Sequence, residues 1–107
     1  MKTDTRQYDD FVDETWFGGE ENAQQIAALG VCGEAGEFAE KMKKRLRGDS
    51  PGPSNIDVIN ELGDILFYVT KSSHLMGFDL DEVMDHNEAK LKSRIARDKQ
   101  RGSGDDR

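Results

Sequence analysis

Apolar residues recur along this chain at the three- and four-residue spacing of amphipathic helices, and no segment shows the two-residue alternation of a strand. Tyr8, Phe11, Val12 and Thr15 share one face of a first helix predicted from about Asp4 to Trp16, which Gly18-Gly19 stops. A second helix is predicted from Ala23 to Leu46, with Asn22 as its cap. Its buried stripe is expected to be Ile26, Leu29, Gly30, Gly33, Phe38, Met42 and Leu46. Ala27, Ala28, Gly30, Gly33, Ala35 and Gly36 would let another helix come close. A glycine inside a helix costs about 1 kcal/mol against alanine, so these point to a packing or site requirement. Gly48 to Ser54, with Pro51 and Pro53, reads as a loop. Ser54 or Asn55 then caps a third helix from about Ile56 to Met76, ended by Gly77 in the left-handed position. Asp79-Leu80-Asp81-Glu82 reads as a capping box opening a fourth helix that runs to about Arg97. The expectation is an all-α four-helix bundle in a single domain over 1–107, with an N-terminal helix and turn at 1–20 and a polar tail at 98–107.

Composition changes this picture in one respect. Hydrophobic and charged residues each make up 35% of the chain, so the apolar material is thin for a monomer and copies of the chain are expected to share a core. The net charge of −7 argues against binding a nucleic-acid polymer through its backbone. The first residues are polar and acidic, unlike a signal peptide, and no apolar run is long enough to cross a bilayer, so a cytoplasmic protein with no membrane partner is expected. Cys32 is the sole cysteine, which excludes an intrachain disulfide and a cysteine-based metal site; it is expected to be a small buried residue.

Two acidic pairs carry the candidate chemistry: Glu34 and Glu37 on the second helix, Glu61 and Asp64 on the third. Residues three apart share a helix face, so two helices could gather all four carboxylates at one point. The spacing alone is not distinctive, since Asp10/Asp13, Asp79/Glu82 and Asp85/Glu88 repeat it. The setting is. Ile56, Val58, Ile59, Leu62, Ile65, Leu66, Phe67, Tyr68 and Val69 surround Glu61 and Asp64, so the third helix is expected to be buried on several sides. No Lys or Arg occurs between Ile56 and Thr70 to neutralise them, and a hard divalent cation, Mg²⁺ or Mn²⁺, is the expected partner. Lys41 and Lys44 continue the face of Glu37, and Asn87, Lys90 and Arg94 share a face of the fourth helix. Cations fringed by such groups suit a polyphosphate.

Gly30-Val-Cys-Gly-Glu34-Ala-Gly-Glu37-Phe-Ala-Glu-Lys41, followed by Glu61-Leu-Gly-Asp64-Ile-Leu-Phe-Tyr68, resembles the EExxE…ExxD signature of MazG-like pyrophosphohydrolases. The similarity runs on through Leu75 to Val83 and Asn87 to Arg94. It implies an all-α bundle assembled as a homodimer or homotetramer. The implied activity is Mg²⁺-dependent hydrolysis of a nucleoside or deoxynucleoside triphosphate between the α- and β-phosphates, for nucleotide-pool control or housecleaning. Glu34, Glu37, Glu61 and Asp64 are the implied metal ligands, with Mn²⁺ able to substitute. Glu37, helped by Glu34, is the expected group to activate the attacking water. Lys41, Lys44, Asn87, Lys90 and Arg94 are expected at the phosphates. The chain departs from the signature at Gly33, which stands at its first Glu, leaving that role empty or to Glu40. The tail Arg101-Gly-Ser-Gly-Asp-Asp-Arg107 resembles that of short, often phage-encoded members, which implies a bacterial or phage-infected cell and a place for Arg107 over the phosphates.

The rival reading is a non-enzymatic acidic helical interaction module, with the carboxylates serving oligomer specificity. A di-iron bundle is excluded because neither His74 nor His86 follows a Glu at three-residue spacing, and Met84 stands where a calcium-binding EF-hand loop needs Gly. Both histidines are expected to be ordinary surface or helix-end residues. Tyr8, Phe11 and Trp16 are candidates to stack on a base, and Asn22, Gln24 and Gln25 to hydrogen-bond its edge.

Overall fold

The computed structural model describes residues 2–97, and its regular structure is helical throughout: α1 (Thr5–Thr15), α2 (Ala23–Leu46), α3 (Asn55–Leu75) and α4 (Leu80–Ala96). Three of the four starts are capping boxes. The side chains of Asp4, Ser54 and Asp79 each accept from the amide three residues on, and Gln7, Asp57 and Glu82 accept in return from the caps' own amides. Caps of this kind stabilise a helix by about 1 kcal/mol each. The start of α2 differs from expectation. Asn22 adopts the left-handed conformation, φ 59°, and its side chain caps nothing, because the backbone turn that enters α2 spends Asn22 on the bend instead. Gly77, at φ 89°, closes α3 as expected.

α2 and α3 lie against each other along much of their length as an antiparallel hairpin, tied at one end by Gln24 Nε2 donating to the Leu75 carbonyl (3.2 Å) and at the other by Arg45 donating to Asn55 Oδ1 (2.7 Å). Gly30 makes this approach possible, since the ring of Tyr68 occupies the space a Cβ would need. α1 and α4 pack on α3 and on each other, and neither packs backbone-close against α2 among the described residues.

The interior is accordingly small: Val12, Ala23, Ala27 and Leu80, with Thr70 and Ser73 turning their hydroxyls onto the helix carbonyls of Leu66 and Thr70. Two expectations fail within the single chain. The α2 stripe is not buried: Ile26, Leu29, Met42 and Leu46 are exposed, Leu46 by 90%. Nor is α3 wrapped on several sides, for Ile56, Ile59, Leu62 and Leu66 face outward. The first failure has a direct cause. A helix with a single neighbour covers a single stripe, and α2 has only α3. Cys32, on the uncovered side of α2, is exposed rather than buried. The expected tail, Arg107 included, lies outside the described residues.

Candidate functional site

Midway along the α2–α3 hairpin, Glu34, Glu61 and Asp64 each bring a carboxylate oxygen within 4.8 Å of the others'. α3 supplies two of them because residues 61 and 64 are one helical turn apart; Glu34 faces them from α2. Glu37, one turn further along α2, is exposed and stands outside that trio, yet its charge is felt there. The Glu34 carboxyl is raised above its ordinary value by desolvation, then by the charges of Asp64 and Glu61, the close approach of the Glu61 carboxylate, and the charge of Glu37. Like charges gathered in this way repel until a proton or a cation comes between them.

Lys41 takes an unforeseen position. Its Nζ lies 2.8 Å from Glu61 Oε1 and also donates to the Asp57 carbonyl at 3.2 Å. The expectation that no basic residue neutralises the α3 pair was drawn from α3 alone, and the neutralising group comes across from α2. Even so, Lys41 satisfies one Glu61 oxygen only. Glu61 Oε2 is buried without a hydrogen-bond partner among the described residues, the kind of orphaned acceptor that a cation relieves. Lys44, next along that face, is half-buried. Glu40, the stand-in considered for Gly33, is paired with Lys43 at 2.8 Å.

Beside the carboxylates a cavity of about 680 Å³ opens between α1 and α3. Tyr8, Phe11 and Phe17 wall it on one side and Phe67 and Tyr68 on the other, with Thr15, Ile59, Asn60, Gly63, Glu34 and Asp64 also in the lining. Burial and the charge of Asp64 hold the Tyr8 hydroxyl above its ordinary pKa, so α1 reaches the carboxylate cluster electrostatically. Trp16 lies behind this wall. It stacks on Phe17 and Phe67, meets Tyr68 edge-on, and donates from Nε1 to the Gly19 carbonyl at 2.7 Å. Asn22 and Gln25 line a separate depression with Gln24 and Leu75, away from the carboxylates. Asn87 and Lys90 line a third cavity with Phe78, Val83 and His86, and Arg94 is buried, 3% exposed. The single chain therefore gathers the acidic groups with an aromatic cavity, and holds the α4 groups elsewhere.

Sequence reasoning missed two features. Asn60 and Gly63 line the cavity, and they are legible only once Glu61 and Asp64 fix which face of α3 matters. His74, taken for an ordinary residue, is nearly covered and bridges two carboxylates of α1: Nε2 to Asp9 at 2.6 Å and Nδ1 to Asp13 at 2.8 Å. No short-range pattern signals a contact spanning that much of the chain.

A family model described as the MazG nucleotide pyrophosphohydrolase domain matches residues 22–98. The match takes in α2, α3 and α4 with all four acidic positions, and leaves α1 outside. The chain is also similar to the "Gene 37 protein" of Mycobacterium phage L5, 41% identical over 83 residues that cover 74% of this chain and 72% of that protein. No solved structure matches it significantly.

Proposed function

The chain belongs to the MazG nucleotide pyrophosphohydrolase family, and from that premise we propose that it hydrolyses a nucleoside or deoxynucleoside triphosphate between the α- and β-phosphates, releasing monophosphate and pyrophosphate. The observation that carries this reading is the convergence of Glu34, Glu61 and Asp64 around a buried carboxylate oxygen that no hydrogen bond satisfies among the described residues. That donor set fits a hard divalent cation: it is all oxygen, it is anionic, and it has spare acceptor capacity. Glu34, Glu61 and Asp64, joined by Glu37, would hold Mg²⁺, with Mn²⁺ as a substitute. When bound, the cation supplies neutralisation of the polyphosphate charge and Lewis-acid polarisation of the reacting phosphorus.

The remaining work falls to the protein's own groups. Glu37, exposed at the mouth of the cluster, takes the proton from the attacking water, and Glu34 orients it. The water oxygen adds to phosphorus on one side of the α–β bridge as the bridging oxygen departs with the other phosphate. Lys41 and Lys44 hold phosphate oxygens, Lys41 by leaving Glu61 for them. The aromatic cavity takes the base, its 680 Å³ lying within the usual range for small-molecule sites. Asn87, Lys90, Arg94 and Arg107 serve the phosphates within a homodimer or homotetramer, whose contacts would cover the apolar residues left open on α2 and α3. No helix among the described residues is long and apolar enough to cross a membrane, and the reading places the enzyme in the cytoplasm of a bacterial or phage-infected cell, in nucleotide-pool control or housecleaning.

The test is pyrophosphate release from a panel of NTPs and dNTPs with Mg²⁺, Mn²⁺ or EDTA, beside Glu61→Gln. Metal-dependent release that the variant loses supports the reading, and the ranking of nucleotides identifies the base and sugar. No release from any nucleotide, together with no binding of either cation, would sink it in favour of an interaction module.

A further inference from the structure

The cavity assigned to the base has one wall outside the family match. α1 contributes Tyr8, Phe11 and Thr15 to it, and α1 packs far less extensively on its neighbours than α2 does on α3. Val12 is its one fully buried side chain. Its polar anchor is a cluster at the far ends of α3 and the near end of α4. His74 of α3 lies between Asp9 and Asp13 of α1, at 2.6 and 2.8 Å; Lys71 of α3 reaches Asp13 at 3.0 Å; and the Leu80 amide at the start of α4 donates to Asp9 at 3.1 Å. These are the charged groups that α1 and α3 present to the imidazole; α4 offers the cluster a backbone amide, and α2 sends it none among the described residues.

Hydrogen-bond chemistry makes this anchor depend on a proton. A neutral imidazole has one N–H, so it can serve one carboxylate and turns a lone pair on the other. Only the imidazolium donates to both. We propose that protonated His74 is a positioning residue that clamps α1 against the cavity, so that nucleotide affinity falls as His74 loses its proton. This inference rests on the cavity being the base site. The surroundings agree in sign: burial alone would depress His74, but hydrogen bonds and charge from Asp9 and Asp13 prevail and raise it above its ordinary 6.5. A raised folded-state value means that the stabilisation is complete below about pH 6.5 and is lost as pH climbs through the raised value.

The experiment follows three readouts from pH 6 to 9 in the full chain. NMR titrates the imidazole of His74, with His86 as the internal comparison since the chain has 2 histidines. Hydrogen exchange measures protection of the α1 amides. Pyrophosphate release gives KM and kcat, with His74→Gln, which cannot donate in two opposed directions, and Asp13→Asn alongside. The expected result is a wild-type KM that rises roughly tenfold with the His74 midpoint, the scale of one hydrogen bond to a charged group, while kcat changes little relative to His74→Gln. α1 protection should fall in step. His74→Gln should show a high, flat KM, and Asp13→Asn an intermediate one. If α1 protection and KM ignore the His74 titration, or the variants match wild type at every pH, the clamp is refuted. Should His74→Gln not fold, the wild-type titration and Asp13→Asn still decide. Should no nucleotide be hydrolysed, the functional reading fails on its own, and α1 protection alone decides the clamp.

Discussion

Replacing Gly30 by alanine tests the close packing of the hairpin and the cavity together. Residue 30 lies inside α2, where alanine is favoured over glycine by about 1 kcal/mol. On propensity alone the substitution stabilises. The structure says otherwise, because the new methyl would overlap the ring of Tyr68, which is braced edge-on by Trp16 (6.2 Å between centroids) and Phe67 (5.5 Å). Either the hairpin opens or the ring swings into the adjoining cavity. Overpacking of this kind costs about 1–3 kcal/mol, rarely more, so the net expectation is a loss of up to roughly 2 kcal/mol after the propensity gain. For a domain of this size each lost kilocalorie lowers Tm by about 4–8 °C. Gly33→Ala and Gly36→Ala are the comparison, since a Cβ at either position meets nothing within 4 Å. Those two should raise stability by roughly 0.5–1 kcal/mol. Urea denaturation of the three variants, with KM for the preferred nucleotide, separates the effects. Gly30→Ala as stable as Gly33→Ala, with KM unchanged, would refute the packing argued here. Loss of stability at Gly33 instead would mean that another chain lies close over that face.

Other expectations follow from the same geometry. Lys41→Met removes the ammonium from Glu61; thermal melts should show a slightly lower Tm in EDTA, since a partly exposed pair contributes little, and a larger rise on adding Mg²⁺. An unchanged Mg²⁺-induced rise would show that Lys41 does not compete for Glu61. Gly63→Leu places a side chain in the cavity without touching the described core. KM should rise tenfold or more, on the scale of a buried leucine, with the urea midpoint kept; an unaltered KM would remove the base from this cavity. Leu62→Glu, on the open face of α3, should shift the particle seen by light scattering towards the single chain if that face is covered in the assembly. A wild type already monomeric at micromolar concentration would end that idea.

Much of the fold could be read from the chain because local signals govern helices. The cap at Ser54 or Asn55, the capping box at Asp79, the stop at Gly77 and the Pro-containing loop placed the helix bounds within a residue or so. Asn22 misled because a capping residue type is also one of the few that tolerate the left-handed turn it adopts. The acidic spacing made Glu61 and Asp64 neighbours on α3, and the small residues of α2 made a close partner helix plausible, as the Gly30–Tyr68 contact bears out. Burial was less legible. A stripe of Ile26, Leu29, Met42 and Leu46 states that something covers α2, without saying whether the cover belongs to the same chain. The long-range polar contacts were invisible for the reason that defines them: Lys41 with Glu61, and His74 with Asp9, join residues that only the finished packing brings within reach.

Trp16 lies behind the aromatic wall of the cavity, against Phe17, Phe67 and Tyr68, with the Lys71 ammonium 5.4 Å from its ring centre. It is the sole tryptophan of the chain, so the protein carries its own optical label, installed beside the place of interest and nowhere else. Its emission is sensitive to the ammonium over the indole and to the rings around it. A nucleotide entering the cavity, or α1 drawing away from it, can therefore be followed in unmodified protein, in real time, before any bond is broken.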